Sequence, residues 1–101
     1  MKREIRVYSN LTNGAVKNFL RKIFKIRESA PLPEVGLIVN PRCVVRNCQG
    51  LEQGKITDVR IITESSTQEV WLGMETSMEV LRARFTQQEG WEEVFGFSPT
   101  K

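Results

Sequence analysis

From residue 35 onward the chain is written in short β-branched and aromatic runs, and these restrict its fold more than any other feature. "VGLIVN" (35–40), "KITDVRIIT" (55–63) and "QEVWLGM" (68–74) are each of strand length and each ends at a turn signal. The first is a near-continuous apolar run, as in a strand buried on both faces. Pro41 interrupts it before "RCVVRNC" resumes, so a bend or bulge is expected at "NPR", because proline cannot donate to a ladder. "QGLEQG" reads as a hairpin loop and "ESST" as a turn. In "QEVWLGM", Val70, Leu72 and Met74 fall on one face and Trp71 on the other. Nearer the N-terminus, "REIRVYS" (3–9) alternates Ile5 and Val7 with Arg6 and Tyr8, and reads as a first strand. Consecutive strands with short connections predict an antiparallel meander.

Between the first strand and this meander lies "VKNFLRKIFKIR" (16–27). At 100° per residue, Val16, Phe19, Leu20, Ile23, Phe24 and Ile26 share one arc, with Lys17, Asn18, Arg21, Lys22 and Lys25 opposite. The spacing predicts a basic amphipathic helix over about 14–27, capped by Thr12 or Asn13 and ended before Pro31 and Pro33. Arg27 falls near its last turn, where a cation interacts favourably with terminal carbonyls. Leu20 and Ile23 are both expected against the sheet.

Two capping-box spacings close the chain, Thr76 with Glu79 and Thr86 with Glu89. The first opens a helix through Met78, Leu81 and Phe85. The second opens a short helix carrying Trp91, Val94 and Phe95, stopped by Gly96. The expected architecture is a two-layer α+β fold of order β-α-β-β-β-α-α, its helices packed mainly on one face of the meander. It forms a single domain over 1–101, with a frayed tail from about 97.

Composition narrows the chemistry. The chain has no histidine, which excludes Ser–His and Cys–His nucleophiles. Its acidic residues fall mainly in caps, turns and polar faces, and its glycines form no phosphate-binding spacing. No enzyme activity, cofactor or metal is expected. There is no run of about 20 apolar residues and no apolar segment after the basic start, so neither a membrane span nor a leader is expected. The expected compartment is a cytoplasm, the cell's own or a host's, or a nucleoplasm. There Cys43 and Cys48 remain free thiols and the sequon at Asn10 carries nothing.

Charge supplies the functional expectation. Residues 1–50 hold ten Lys or Arg against three Glu; residues 51–101 hold five against nine acidic residues. The halves are thus +7 and −4, an asymmetry that suits an oppositely charged partner. The candidate basic patch is Lys17, Arg21, Lys22 and Lys25, joined by Arg3 and Arg6 of the first strand. A second patch groups Glu89, Trp91, Glu92 and Glu93, unless Trp91 closes the core instead. These features predict a protein-interaction module: a small adaptor, or an inhibitor that occludes a larger partner. The partner would be an acidic protein or a nucleic-acid-processing protein. Small proteins of phages and mobile elements share this profile of size and charge. The alternative is nucleic-acid binding through 16–27 and the first strand, although few aromatics interleave with the basic residues. A more distant reading is a small-ligand or nucleotide binder formed as an oligomer, since open strand edges allow a homodimer.

Overall fold

The N-terminal alternating segment forms a strand, Lys2–Ser9 (β1), and it runs through the interior of a six-stranded sheet. A computed structural model describes residues 1–11, 17–40, 53–87 and 90–97. The remaining elements are β2 (Lys17–Lys25), β3 (Ile38–Val39), β4 (Gly54–Ile62), β5 (Thr67–Met74), one helix α1 (Met78–Phe85) and β6 (Glu92–Phe97). Strand order is β3-β4-β5-β1-β2-β6. β1 lies parallel to β5, and every other neighbouring pair is antiparallel. The fold is α+β with the sheet dominant. It is mixed rather than the pure antiparallel meander expected, because β1 inserts between β5 and β2.

The largest departure from expectation is β2, where a basic helix was predicted. Its apolar residues come in adjacent pairs, Phe19–Leu20 and Ile23–Phe24, with two residues between. That spacing fits one arc of a helix. It fits a strand equally well when both sheet faces take apolar groups, because each pair then sends one side chain to each face. Leu20 enters the core and Phe24 packs beside it. Phe19 is buried on the other face, and Ile23 is left 52% exposed there. Strand neighbours on both sides satisfy the backbone of β2, and tertiary pairing thereby overrides helical periodicity.

The second departure is at the C-terminal end. Thr86 closes α1 instead of opening another helix; its hydroxyl donates to the Arg82 carbonyl. The chain then turns at Gly90, whose φ of +90° lies in the left-handed region, and enters β6 with Gly96 inside the strand. The backbone conformation favours glycine here; a Cβ at Gly90 would also come within 2.9 Å of Lys22 Cε, the flexible end of a side chain that can move aside. The N-cap of α1 is Ser77, one residue later than expected, and its side chain accepts from the Val80 amide. Thr12, Asn13, Pro41, "RCVVRNC" with Cys43 and Cys48, most of "QGLEQG", Glu89 and the tail 98–101 lie outside the described residues.

The core forms between α1 and one sheet face. Leu81 and Phe85 of α1, with Trp91, pack on Ile5, Val7, Leu20, Ile56, Val70, Leu72 and Met74. Phe85 and Trp91 meet edge to face at 4.7 Å. The connector after β2 crosses on this same side. Arg3 Nη2 donates to the Pro31 carbonyl at 2.8 Å, and further on Gly36 N donates to the Ile56 carbonyl at 2.7 Å. Among the described residues, no helix is long and apolar enough to cross a membrane.

Candidate functional site

The sheet face turned away from α1 holds a charged and aromatic cluster. β-Strand alternation sends Glu4, Arg6 and Tyr8 to this face from β1, Phe19 and Arg21 from β2, and Glu69 and Trp71 from β5. The Arg6 guanidinium lies 4.8 Å from the ring centroids of both Phe19 and Trp71. Those two rings meet edge to face at 4.9 Å. Trp71 Nε1 donates to Glu69 Oε1 at 2.7 Å, and Tyr8 donates its hydroxyl proton to Thr57 Oγ1 at 2.9 Å. Arg6 pairs with Glu4 through Nε and with Glu69 through Nη2 at 3.3 Å. Arg21 continues the series, 3.6 Å from Glu4 and 2.6 Å from Glu92. The outcome is an alternating chain, Glu69–Arg6–Glu4–Arg21–Glu92, across four strands. Glu69, Arg6 and Glu4 are largely buried, so the first role of the chain is to tie the strands together.

The lower end of the sheet is different. Lys2 and Lys25 stand directly opposite each other in the β1–β2 register. Both are exposed, and neither has an ion pair with any described residue. Arg27, two residues on, is likewise exposed and without an ion pair among the described residues. Like charges directly opposite on a sheet destabilise it. Beside them the turn after β2 borders a half-open pocket of about 440 Å³ lined by Lys25, Ile26, Arg27, Ser29, Ala30 and Pro31. Arg3 fixes this turn from beneath. It is buried, donates from Nε to Gln68 Oε1 at 3.0 Å, and holds Pro31 through its second hydrogen bond. Burial lowers the pKa of this guanidinium below its ordinary value. Lys2, Lys25 and Arg27 thus present unneutralised donors suited to carboxylate or phosphate oxygens.

The expected basic patch is not brought together, because a strand alternates faces where a helix would keep one stripe. Arg6 and Arg21 enter the ion chain. Arg3 and Lys22 turn to the α1 side, where Lys22 Nζ lies 5.1 Å from the Phe24 ring centroid. Lys25 alone joins the cationic end, and of Lys17 only the backbone, in β2, is described. The acidic–aromatic patch is divided in the same way. Trp91 is buried in the core, Glu92 pairs with Arg21, and Glu93 projects to the other face, where it pairs with Arg82. Two hydrogen bonds from Arg82 to Glu93 raise the Arg82 pKa above its ordinary value. Glu89 is outside the described residues. Lys2 belongs to the basic set read from the sequence, whereas Arg27 as a surface group was not expected at a site; their grouping follows from strand pairing, which no local pattern reveals. Among the described residues, no group of three or more Cys, Asp or Glu is placed to hold a metal.

The chain matches no protein-family model, no curated protein and no solved structure in comparisons with each.

Proposed function

We propose that this protein is a non-enzymatic binding module that engages an acidic protein surface through the cationic end of its sheet, Lys2, Lys25 and Arg27. The observation that carries this reading is the Lys2–Lys25 opposition. The chain's other described arginines on the sheet are largely matched with carboxylates, whereas these two lysines repel each other and face solvent. A partner carboxylate set between the two ammonium groups would relieve that repulsion. Acidic protein is favoured over nucleic acid because, among the described residues, no exposed aromatic residue accompanies the three cations, and stacking on bases needs one. An adaptor or inhibitor needs no more than this: a rigid sheet end, fixed from beneath by Arg3, offering a small set of charges.

Lys25→Glu separates binding from folding. It sets a carboxylate opposite Lys2, so stability is expected to hold or rise by about 0.2–1 kcal/mol. Partner capture from native lysate is expected to be lost. The capture is run with and without nuclease, alongside salt titrations on duplex DNA, duplex RNA and single strands. A protein partner that survives nuclease and is lost in Lys25→Glu is the expected result. Tight wild-type binding to a nucleic acid, abolished by the same change, would replace this reading with the nucleic-acid one. Unchanged capture by Lys25→Glu would reject the cationic end.

A further inference from the structure

β4 uses only part of its outer edge. β3 pairs with Gly54 and Lys55, and the backbone of Gly36 and Leu37 adds two hydrogen bonds to Ile56. The two strands are antiparallel, so continuing β3 beyond Val39 leads past the start of β4 and away from its far half. From Thr57 to Ile62 the outer edge has no strand beside it among the described residues. A bulge falls at Thr57, and from Asp58 on this half is regular, held on its inner side by β5 from Asp58↔Trp71 to Ile62↔Thr67. It is also accessible: the side chains of Asp58 and Arg60 are each 43% exposed, and Ile61 is 57% exposed. An open strand of this kind is a template for another strand.

We propose that the strand it accepts is the same segment of a second copy of this chain. "TDVRI" (57–61) is complementary to its own reverse. In an antiparallel pairing with a two-fold axis at Val59, Asp58 of each copy lies opposite Arg60 of the other; Thr57, in the bulge with its hydroxyl bonded to Tyr8 on the face away from α1, lies outside the regular ladder. Directly opposed residues share a sheet face at about 4.5–5.5 Å between Cβ atoms. Within one chain Arg60 Nε already donates to Asp58 Oδ2 at 2.8 Å, and Arg60 also lies opposite Glu69 of β5. The dimer therefore sets four alternating charges at its centre.

The neighbouring two-fold registers are less favourable, and an axis at Ile61 forms no opposite-charge pair. An axis at Arg60 opposes two arginines, and an axis at Asp58 opposes two aspartates. Registers between residues oppose side chains from different faces, which the pleat forbids. The bulge at Thr57 and the bonds of Ile56 to the connector confine the regular pairing to Asp58–Arg60 and bring Ile62 of one copy towards Leu37 of the other. Ile61, Ile62, Val35 and Leu37, large apolar groups that this chain exposes, lie along or beside the contact. The joined sheet has twelve strands and carries a cationic end on each copy.

Sedimentation of the wild type across a concentration series tests the dimer, and charge exchange tests its register. The wild type is expected to double its mass with concentration. Asp58→Arg alone and Arg60→Asp alone each oppose like charges and are expected to remain monomeric, with melting curves confirming that each folds. Mixed in equal amounts, the two variants restore both ion pairs and are expected to form a heterodimer. A wild type that stays monomeric throughout overturns the proposal. So does a dimer insensitive to either change, or a mixture that fails to associate while both variants are folded.

Discussion

Arg6 is the residue on which most of the second sheet face depends. It touches two aromatic rings and two carboxylates from three strands, and its side chain is only 12% exposed. Ion pairs on a protein surface contribute little, but removing one partner of a buried set leaves the others uncompensated. Arg6→Met keeps the volume between Phe19 and Trp71 and removes a cation from both Glu4 and Glu69, leaving Glu4 with Arg21 at 3.6 Å. Denaturant unfolding is expected to show a loss of roughly 3–5 kcal/mol. Adding Glu4→Gln and Glu69→Gln to that variant is expected to recover part of the loss, because two buried carboxylates deprived of Arg6 would become neutral. The exposed pair Lys2 and Lys25 marks the other extreme: there a charge change leaves folding nearly untouched.

At the scale of elements, the assignment of residues 17–25 separates two readings of one pattern. A helix would bury Leu20 and Ile23 together; a strand buries Leu20 and exposes Ile23. Leu20→Ala is expected to cost about 2–5 kcal/mol, and Ile23→Ala to stay within about 0.5 kcal/mol, in parallel urea titrations. Equal large losses would return the segment to a helix. What was legible in the sequence had a single solution. β1, β4, β5 and the turn between the last two follow from their alternation and β-branched content, and α1 from its spacing of Met78, Leu81 and Phe85. The faces of Val70, Leu72, Met74 and Trp71 follow as well. β2 and β6 did not, because "NFLRKIF" and "WEEVF" satisfy both periods, and only their long-range partners decide. The candidate site was illegible for the same cause. Lys2 and Lys25 become neighbours through a register set between distant segments, and no spacing along the chain encodes that.

The whole molecule is organised around β1. It is the one strand that joins β3-β4-β5 to β2-β6, parallel to the first group and antiparallel to the second. Its Ile5 and Val7 lie in the core, and Leu81 and Phe85 pack over the same ground. A chain beginning at residue 10 would keep every other described element yet lose the connection between the two halves. Such a chain is expected to show collapsed amide dispersion by NMR and no cooperative thermal transition, since two- and three-stranded remnants are marginal alone. A folded, cooperative product would show that the halves hold without β1. The parallel seam also fixes the tempo of folding. β1 and β5 meet only after the chain closes a loop spanning residues 10–66, with its full ordering entropy lost before the seam returns anything. Local structure offers little head start, as the described residues include a single helix of eight residues. Folding is therefore expected in the slower, millisecond-to-second regime of non-local β topologies, with the open edge of β4 waiting in the meantime as a place where two unfinished chains can meet.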